Sequence, residues 1–191
     1  RRDVTTSLGP QRFADSGRWV EATIDTSDGR GLTVVSSYVF TGEATDAPRM
    51  DEKHAFVRAA IERLETLRET GRHVLLTGDL NIARTQMDIK NWKGNVGKSG
   101  FLPEERAHLD HLCDELGWID LGRQFGGDGP GPYTWWSYRG QAFDNDAGWR
   151  IDYLVATPEL AALAKDVEVH RAATYAERWS DHAPISVTFD L

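Results

Sequence analysis

The sequence predicts a layered α/β domain, and three observations carry that prediction. Segments with the two-residue alternation of strands are interspersed with segments whose apolar residues recur at helical spacing. Three acid-bearing motifs each stand at the end of a predicted strand: Gly78-Asp79-Leu80-Asn81, Arg150-Ile151-Asp152-Tyr153 and Ser180-Asp181-His182-Ala183-Pro184. Strand ends are where mixed α/β folds mount functional groups. The 191 residues, 40% hydrophobic and 27% charged, suit one domain over residues 1–191 with a sizeable core.

The elements follow in order. Trp19 to Asp25 and Leu32 to Val39 alternate as strands, with Ser27-Asp28-Gly29 as the hairpin turn between them. Asp51 to Thr70 reads as an amphipathic helix with Phe56, Ala60, Leu64 and Leu67 on its buried stripe, and Gly71 ends it. A strand at His73–Thr77 runs into Gly78. Ile82 to Gly100 is polar and rich in Gly, Asn and Lys, hence a long loop. Pro103 opens a helix to Leu116 that turns Leu109, Leu112, Cys113 and Leu116 inward, and Gly117 stops it. Gly122 to Gly148 is a second loop-rich region. Ile151–Ala156 and Pro184–Asp190 are strands, with a short helix from Pro158 to Ala164 between them.

Charge and cysteine content narrow the function. The formal charge of −8 argues against a broad phosphate-gripping face but leaves room for a local one. Acidic groups gathered in one place would suit a divalent cation. The single Cys113 excludes an internal disulfide and fits a reducing, cytoplasmic setting. No apolar run is long enough to span a membrane.

The motifs supply the chemistry. Residues two apart on an extended segment face the same way, so Asp79 and Asn81 stand side by side. Asp152, Asp181 and His182 complete a set of three carboxylates, one amide and one imidazole. Taken singly, each Asp also reads as a turn or cap residue and His182 as a structural one. Together they suit metal-assisted hydrolysis: carboxylates hold a hard cation, a His faces the developing charge, and another Asp orients that His.

With Phe101-Leu102-Pro103-Glu104-Glu105-Arg106, the Tyr133–Arg139 run YTWWSYR and Gly148–Tyr153, these motifs make the chain resemble the exonuclease III family. That family of Mg²⁺-dependent abasic-site endonucleases and 3′-phosphodiesterases belongs to the endonuclease/exonuclease/phosphatase superfamily. The resemblance runs from about Gly17 to Leu191. GDLN and SDH are common to the superfamily, whereas FLPEER, the Trp-rich run and GWRIDY are specific to the repair branch.

The resemblance implies a four-layer α/β sandwich, two mixed sheets face to face and flanked by helices. It implies DNA phosphodiester hydrolysis as an abasic-site endonuclease, 3′-phosphodiesterase and 3′–5′ exonuclease of base-excision repair. Asp79 would orient or deprotonate the attacking water, and Asn81 would contact the scissile phosphate. His182 would stabilise the phosphate's charge, held by Asp152, with Tyr38 beside it. Asp181 would ligate Mg²⁺, or Mn²⁺ in its place, with Asp79 and Asn81 as ligands of a second metal position. Trp135, Trp149 and Ile151 would line a pocket for the flipped-out abasic sugar. Thr41, Asn95 and Lys98 would meet the backbone. The expected partner is double-stranded DNA with abasic sites or 3′-blocked ends. The expected protein is a cytoplasmic monomer without a membrane segment, nucleoid-associated in a bacterium.

The chain departs from the family in two respects. The family's first strands, including one ending in a Gln-Glu metal ligand, have no counterpart here, so the chain is expected to be an N-terminally incomplete piece, inactive alone while its parent is active. Thr41 stands where a longer amide is usual. The lysines of the 90–99 loop (Lys90, Lys93 and Lys98) read equally as a DNA track or a solvated loop.

Two alternatives stand beside this reading: a superfamily phosphoesterase acting on lipid or inositol phosphates, and a non-catalytic DNA-binding remnant. His108, His111 and Cys113 imitate a zinc motif, but Cys113 belongs to the apolar stripe and no second ligand cluster completes a site. Trp19, Trp92, Trp118, Trp136 and Trp179 read mostly as packing residues, Trp136 least clearly.

Overall fold

The computed structural model describes residues 3–191. Its core is a six-stranded sheet in the order β1 (Asp3–Thr5), β2 (Trp19–Ile24), β3 (Leu32–Ser37), β4 (His73–Asp79), β6 (Asp152–Ala156) and β5 (Ile119–Asp120). The sheet is mixed: β3 and β4 pair in parallel and the other neighbours are antiparallel. A parallel pair needs a crossover, and α2 (Ala47–Arg68) supplies it. The helix begins before its apolar stripe does. Asp46 accepts the Arg49 N–H at 3.1 Å, and Pro48 fits the first turn, where no N–H is needed.

Alternation in the central strands feeds two cores. Val35, Val74, Leu76, Tyr153 and Val155 face α2, Leu109 of α4 (Pro103–Asp110) and Leu112 just beyond it. Leu32, Leu75, Leu154 and Ala156 face the other way, onto Val167, Ile185, Val187 and Phe189. Those four belong to a second sheet, the antiparallel pair β7 (Ala164–Val169) and β8 (Ile185–Phe189). Helix, sheet and sheet are thus stacked in that order. The second sheet is purely antiparallel among the described residues, and its outward residues Lys165, Asp166, Glu168, Ser186 and Thr188 are exposed.

Several elements differ from the sequence-based expectation. The helix from Pro103 becomes a π turn over His111–Glu115, where Leu116 N–H reaches back five residues to the His111 carbonyl at 3.0 Å. The 82–100 loop contains a 3₁₀ turn at Gln86–Asp88 and one α-helical turn, α3 (Trp92–Asn95). The short helix α6 stops at Ala161, and β7 follows at once. Among the described residues, no helix is long and apolar enough to cross a membrane.

Candidate active site

β4 and β6 bring the first two motifs together, because Asp79 and Asp152 are register partners across the pair. The strand reaches that point only through Gly78, whose φ of +129° is open to glycine and costly for other residues. A Cβ there would lie 2.0 Å from the Ser37 carbonyl oxygen, so β3 and β4 approach too closely for any side chain. Past Asp79 the chain turns at Asn81, itself at φ +49°.

Asn81 and Asp79 hold one another. The Asn81 backbone N–H donates to Asp79 Oδ1 at 2.8 Å and its Nδ2 to Asp79 Oδ2 at 2.8 Å. The second Nδ2 proton goes to the Val39 carbonyl, also at 2.8 Å. Both amide protons are therefore committed within the protein, and Asn81 Oδ1 meets only the Thr41 hydroxyl at 3.4 Å. In this geometry Asn81 aims Asp79, and an N–H bond to phosphate would require one of those contacts to break.

His182 lies opposite. Its Nδ1 is 2.9 Å from Asp152 Oδ2, and its Nε2 is 4.0 Å from Asp79 Oδ2. The Thr134 hydroxyl donates to the same Asp152 oxygen at 2.6 Å, fixing the carboxylate that fixes the ring. Asp181 Oδ2 accepts from Trp135 Nε1 at 3.0 Å. Trp135 meets Trp149 edge to face at 6.3 Å, and both pack with Ile151.

Crowded carboxylates shape the charge. Burial and then the Asp152 charge push the Asp79 carboxyl up to about 6, against the pull of the Asn81 N–H, His182 and Lys53. Burial works to lower the His182 pKa, but the Asp152 hydrogen bond and the charges of Asp152, Asp79 and Asp181 outweigh it and raise it. The imidazolium is thus favoured beside the carboxylates.

A cleft of about 510 Å³ opens over this centre. Its walls include Tyr38, Thr41, Asp79, Asn81, Asn95, Lys98, Trp135, Trp149, Ile151, Asp181 and His182. Asp152 stands behind His182 and completes the residues singled out in the sequence. Hard oxygen donors suit a divalent cation, yet no group of three His, Cys, Asp or Glu side chains converges among the described residues. A hard cation held by one or two of these carboxylates would keep several of its waters.

Sequence reasoning overlooked the supports. Arg150, 2% exposed, binds Asp88 Oδ1 at 2.7 Å and both Asp120 oxygens at 3.0 and 2.7 Å. Arg123 also pairs with Asp88. This buried net ties the 82–100 loop to the Trp149 segment. Lys53 and Glu105 form a second buried pair under Asn81. Of the imitation zinc residues, His108 Nε2 meets His54 Nδ1 at 3.0 Å and His111 pairs with Glu115. Trp19, Trp118 and Trp136 are buried with their indole N–H groups bonded to Glu21, Glu65 and Asp146. Trp179, in contrast, is 82% exposed.

Fold and site define a class of α/β sandwich proteins with an Asp–His centre at the rim of the main sheet. The chain belongs to the Endonuclease/Exonuclease/phosphatase family, whose model matches residues 4–182. It is 31% identical over 192 residues to a DNA-(apurinic or apyrimidinic site) endonuclease of Dictyostelium discoideum, covering 98% of this chain and 50% of that protein. It is 34% identical over 195 residues to an exodeoxyribonuclease of Streptococcus pneumoniae, covering 100% of this chain and 68% of that one. The 3′ phosphatase NExo from Neisseria, solved with a product DNA hairpin, superposes with a TM-score of 0.87 at 33% identity, over 99% of this chain and 71% of the other. An AP endonuclease from Archaeoglobus fulgidus gives a TM-score of 0.87 at 26% identity, with the same coverage. The chain spans about half the length of several curated relatives, 50% of the Dictyostelium protein and 45% of a Bacillus subtilis exodeoxyribonuclease.

Proposed function

We propose that this chain carries the catalytic centre of a divalent-metal-dependent DNA hydrolase of the exonuclease III type, acting at abasic sites and blocked 3′ ends. The observation that carries the reading is the facing pair formed by Asp79, aimed by Asn81, and His182, held by Asp152, on the floor of one cleft. The names of the relatives support it.

Each group has a chemical task. Above pH about 6 Asp79 is ionised and accepts a proton from water placed beside it. In the imidazolium form that its acidic neighbours favour, His182, held at Nδ1, offers its Nε2–H to a phosphoryl oxygen as negative charge builds there. Tyr38, 45% exposed at the cleft rim, faces the leaving side. Trp135, Trp149 and Ile151 form an apolar wall that accepts a sugar lacking its base, and Asn95 and Lys98 meet the flanking backbone. Members of the family depend on a divalent metal. Mg²⁺, or Mn²⁺, bound at Asp181 would supply charge neutralisation at the phosphate. The setting we infer is a monomer in the cytoplasm, on the nucleoid in a bacterium.

The test is incision of a 5′-labelled duplex holding one abasic-site analogue, against an intact duplex, a 3′-phosphate end, inositol phosphates and phospholipids. In the whole protein, cleavage that needs Mg²⁺, stops with EDTA and is lost in Asp79→Asn is expected. Turnover of the lipid or inositol substrates with DNA untouched would overturn the reading. DNA binding without cleavage at any metal concentration would mark a non-catalytic binder.

A further inference from the structure

Lys53 is a lysine with 0% exposure on the inner face of α2, an unusual place for an ammonium group. All three of its protons are used. It donates to the Thr41 carbonyl at 2.9 Å, the Asn81 carbonyl at 3.0 Å and Glu105 Oε1 at 2.5 Å. Glu105, also 0% exposed, takes the Gly100 N–H at 2.6 Å and the Leu102 N–H at 3.0 Å on its other oxygen. The Ser99 hydroxyl closes the ring onto the Thr41 carbonyl. Gly42 lets the chain pass this close, since a Cβ there would meet Met50 Sδ at 2.7 Å and Lys53 Cδ at 3.2 Å.

Three chain segments that are distant in sequence meet at this ammonium and its Glu105 partner. They are the Thr41 turn, the Asn81 turn, and the turn that leads from Lys98 into α4. Each contributes to the cleft wall, and one of them carries the amide that aims Asp79. A buried pair of this kind gives little net stability compared with apolar replacements, so geometry is the more telling reason for it.

We propose that Lys53, with Glu105, is a positioning residue of the hydrolytic centre, locking the Thr41, Asn81 and Ser99–Leu102 segments into one clamp that keeps Asn81 set against Asp79 while the DNA backbone seats on the Lys98 side. This rests on the function proposed above. Misplacing a reacting group by 1 Å costs on the order of 100-fold in rate. The clamp therefore bears on turnover more than on affinity.

Amide resonances and kinetics of Lys53→Met, Lys53→Arg and Glu105→Gln test this. In Lys53→Met the Asn81 side-chain amide and the Thr41 and Gly100 backbone amides should shift and exchange faster. The kcat on an abasic duplex should fall by about 100-fold while KM changes by less than about fivefold. Lys53→Arg retains donors and charge and should recover most of both readouts. Glu105→Gln keeps Lys53 but sets an amide N–H against either the Lys53 ammonium or the Gly100 and Leu102 N–H groups, and should move the Gly100 and Leu102 signals and lower kcat. A folded Lys53→Met with wild-type Asn81 signals and wild-type kcat would overturn the proposal. If Lys53→Met does not fold, Glu105→Gln with unchanged signals and kcat overturns it equally. A wild-type protein that neither binds nor cleaves DNA refutes the function instead, and the amide signals still decide the clamp.

Discussion

At the residue scale, the centre is assembled from groups that strain against one another. Asp79 is buried and held near Asp152 although both are carboxylates, and its pKa of about 6 records the cost of the burial first and of the neighbouring charge second. A carboxyl whose folded pKa lies above its ordinary value contributes most to stability when protonated, below pH about 4. That contribution is lost as pH rises through about 6. Above that pH the ionised Asp79 burdens the fold. Asp79→Asn should therefore stabilise the protein at pH 8 by up to about 2 kcal/mol, a rise of a few degrees in Tm, while removing activity. At pH 4.5 the gain should shrink toward zero. A Tm that falls at pH 8 would contradict this. The wild-type rate should decline as pH drops below about 6, where Asp79 takes up its proton. Local motifs made Asp79, Asn81, Asp152 and His182 legible, because two-residue spacing and strand ends are written in short stretches. Lys53 was not legible, since its partners lie 12, 28 and 52 positions away.

At the element scale, periodicity revealed the elements with one clearly apolar face. β2, β3, β4, β6 and α2 all follow their stripes. β7 was hidden because Lys165 and Asp166 fall side by side at a register shift and break the alternation there, and its inward residues are only half-buried. β5 has two residues, too few to carry a pattern. The π turn after α4 was hidden too, since one inserted residue shifts the stripe without changing its composition. The strand that presents Asp79 depends on a single glycine. Gly78→Ala would place a methyl carbon 2.0 Å from the Ser37 oxygen at a φ of +129°. We expect a loss above about 3 kcal/mol by urea unfolding, or no soluble protein at all. A loss below about 1 kcal/mol would mean that β3 and β4 part more easily than their spacing indicates.

At the scale of the whole molecule, a chain of net charge −8 would meet the DNA proposed above through a small part of its surface. Lys98 lines the cleft and is exposed, and Lys90 and Lys93 are exposed on the same loop. Each phosphate neutralised by a lysine adds about one unit to the salt dependence of binding. Lys98→Ala should therefore reduce the slope of log affinity against log salt by roughly 1 on any duplex, abasic or intact. A slope unchanged from wild type would remove Lys98 from the interface. The layer order was readable in outline from the motif set. The near-bare outer face of the second sheet was not, because exposure belongs to the assembled sheet and not to any one strand.

Trp179 has an optical consequence. Trp19, Trp118 and Trp136 emit from apolar surroundings, whereas the indole of Trp179 is 82% exposed to water three residues before His182. The red edge of the protein's fluorescence is thus weighted toward the rim of the Asp–His centre, which gives the molecule its own lamp beside the place where a substrate would settle.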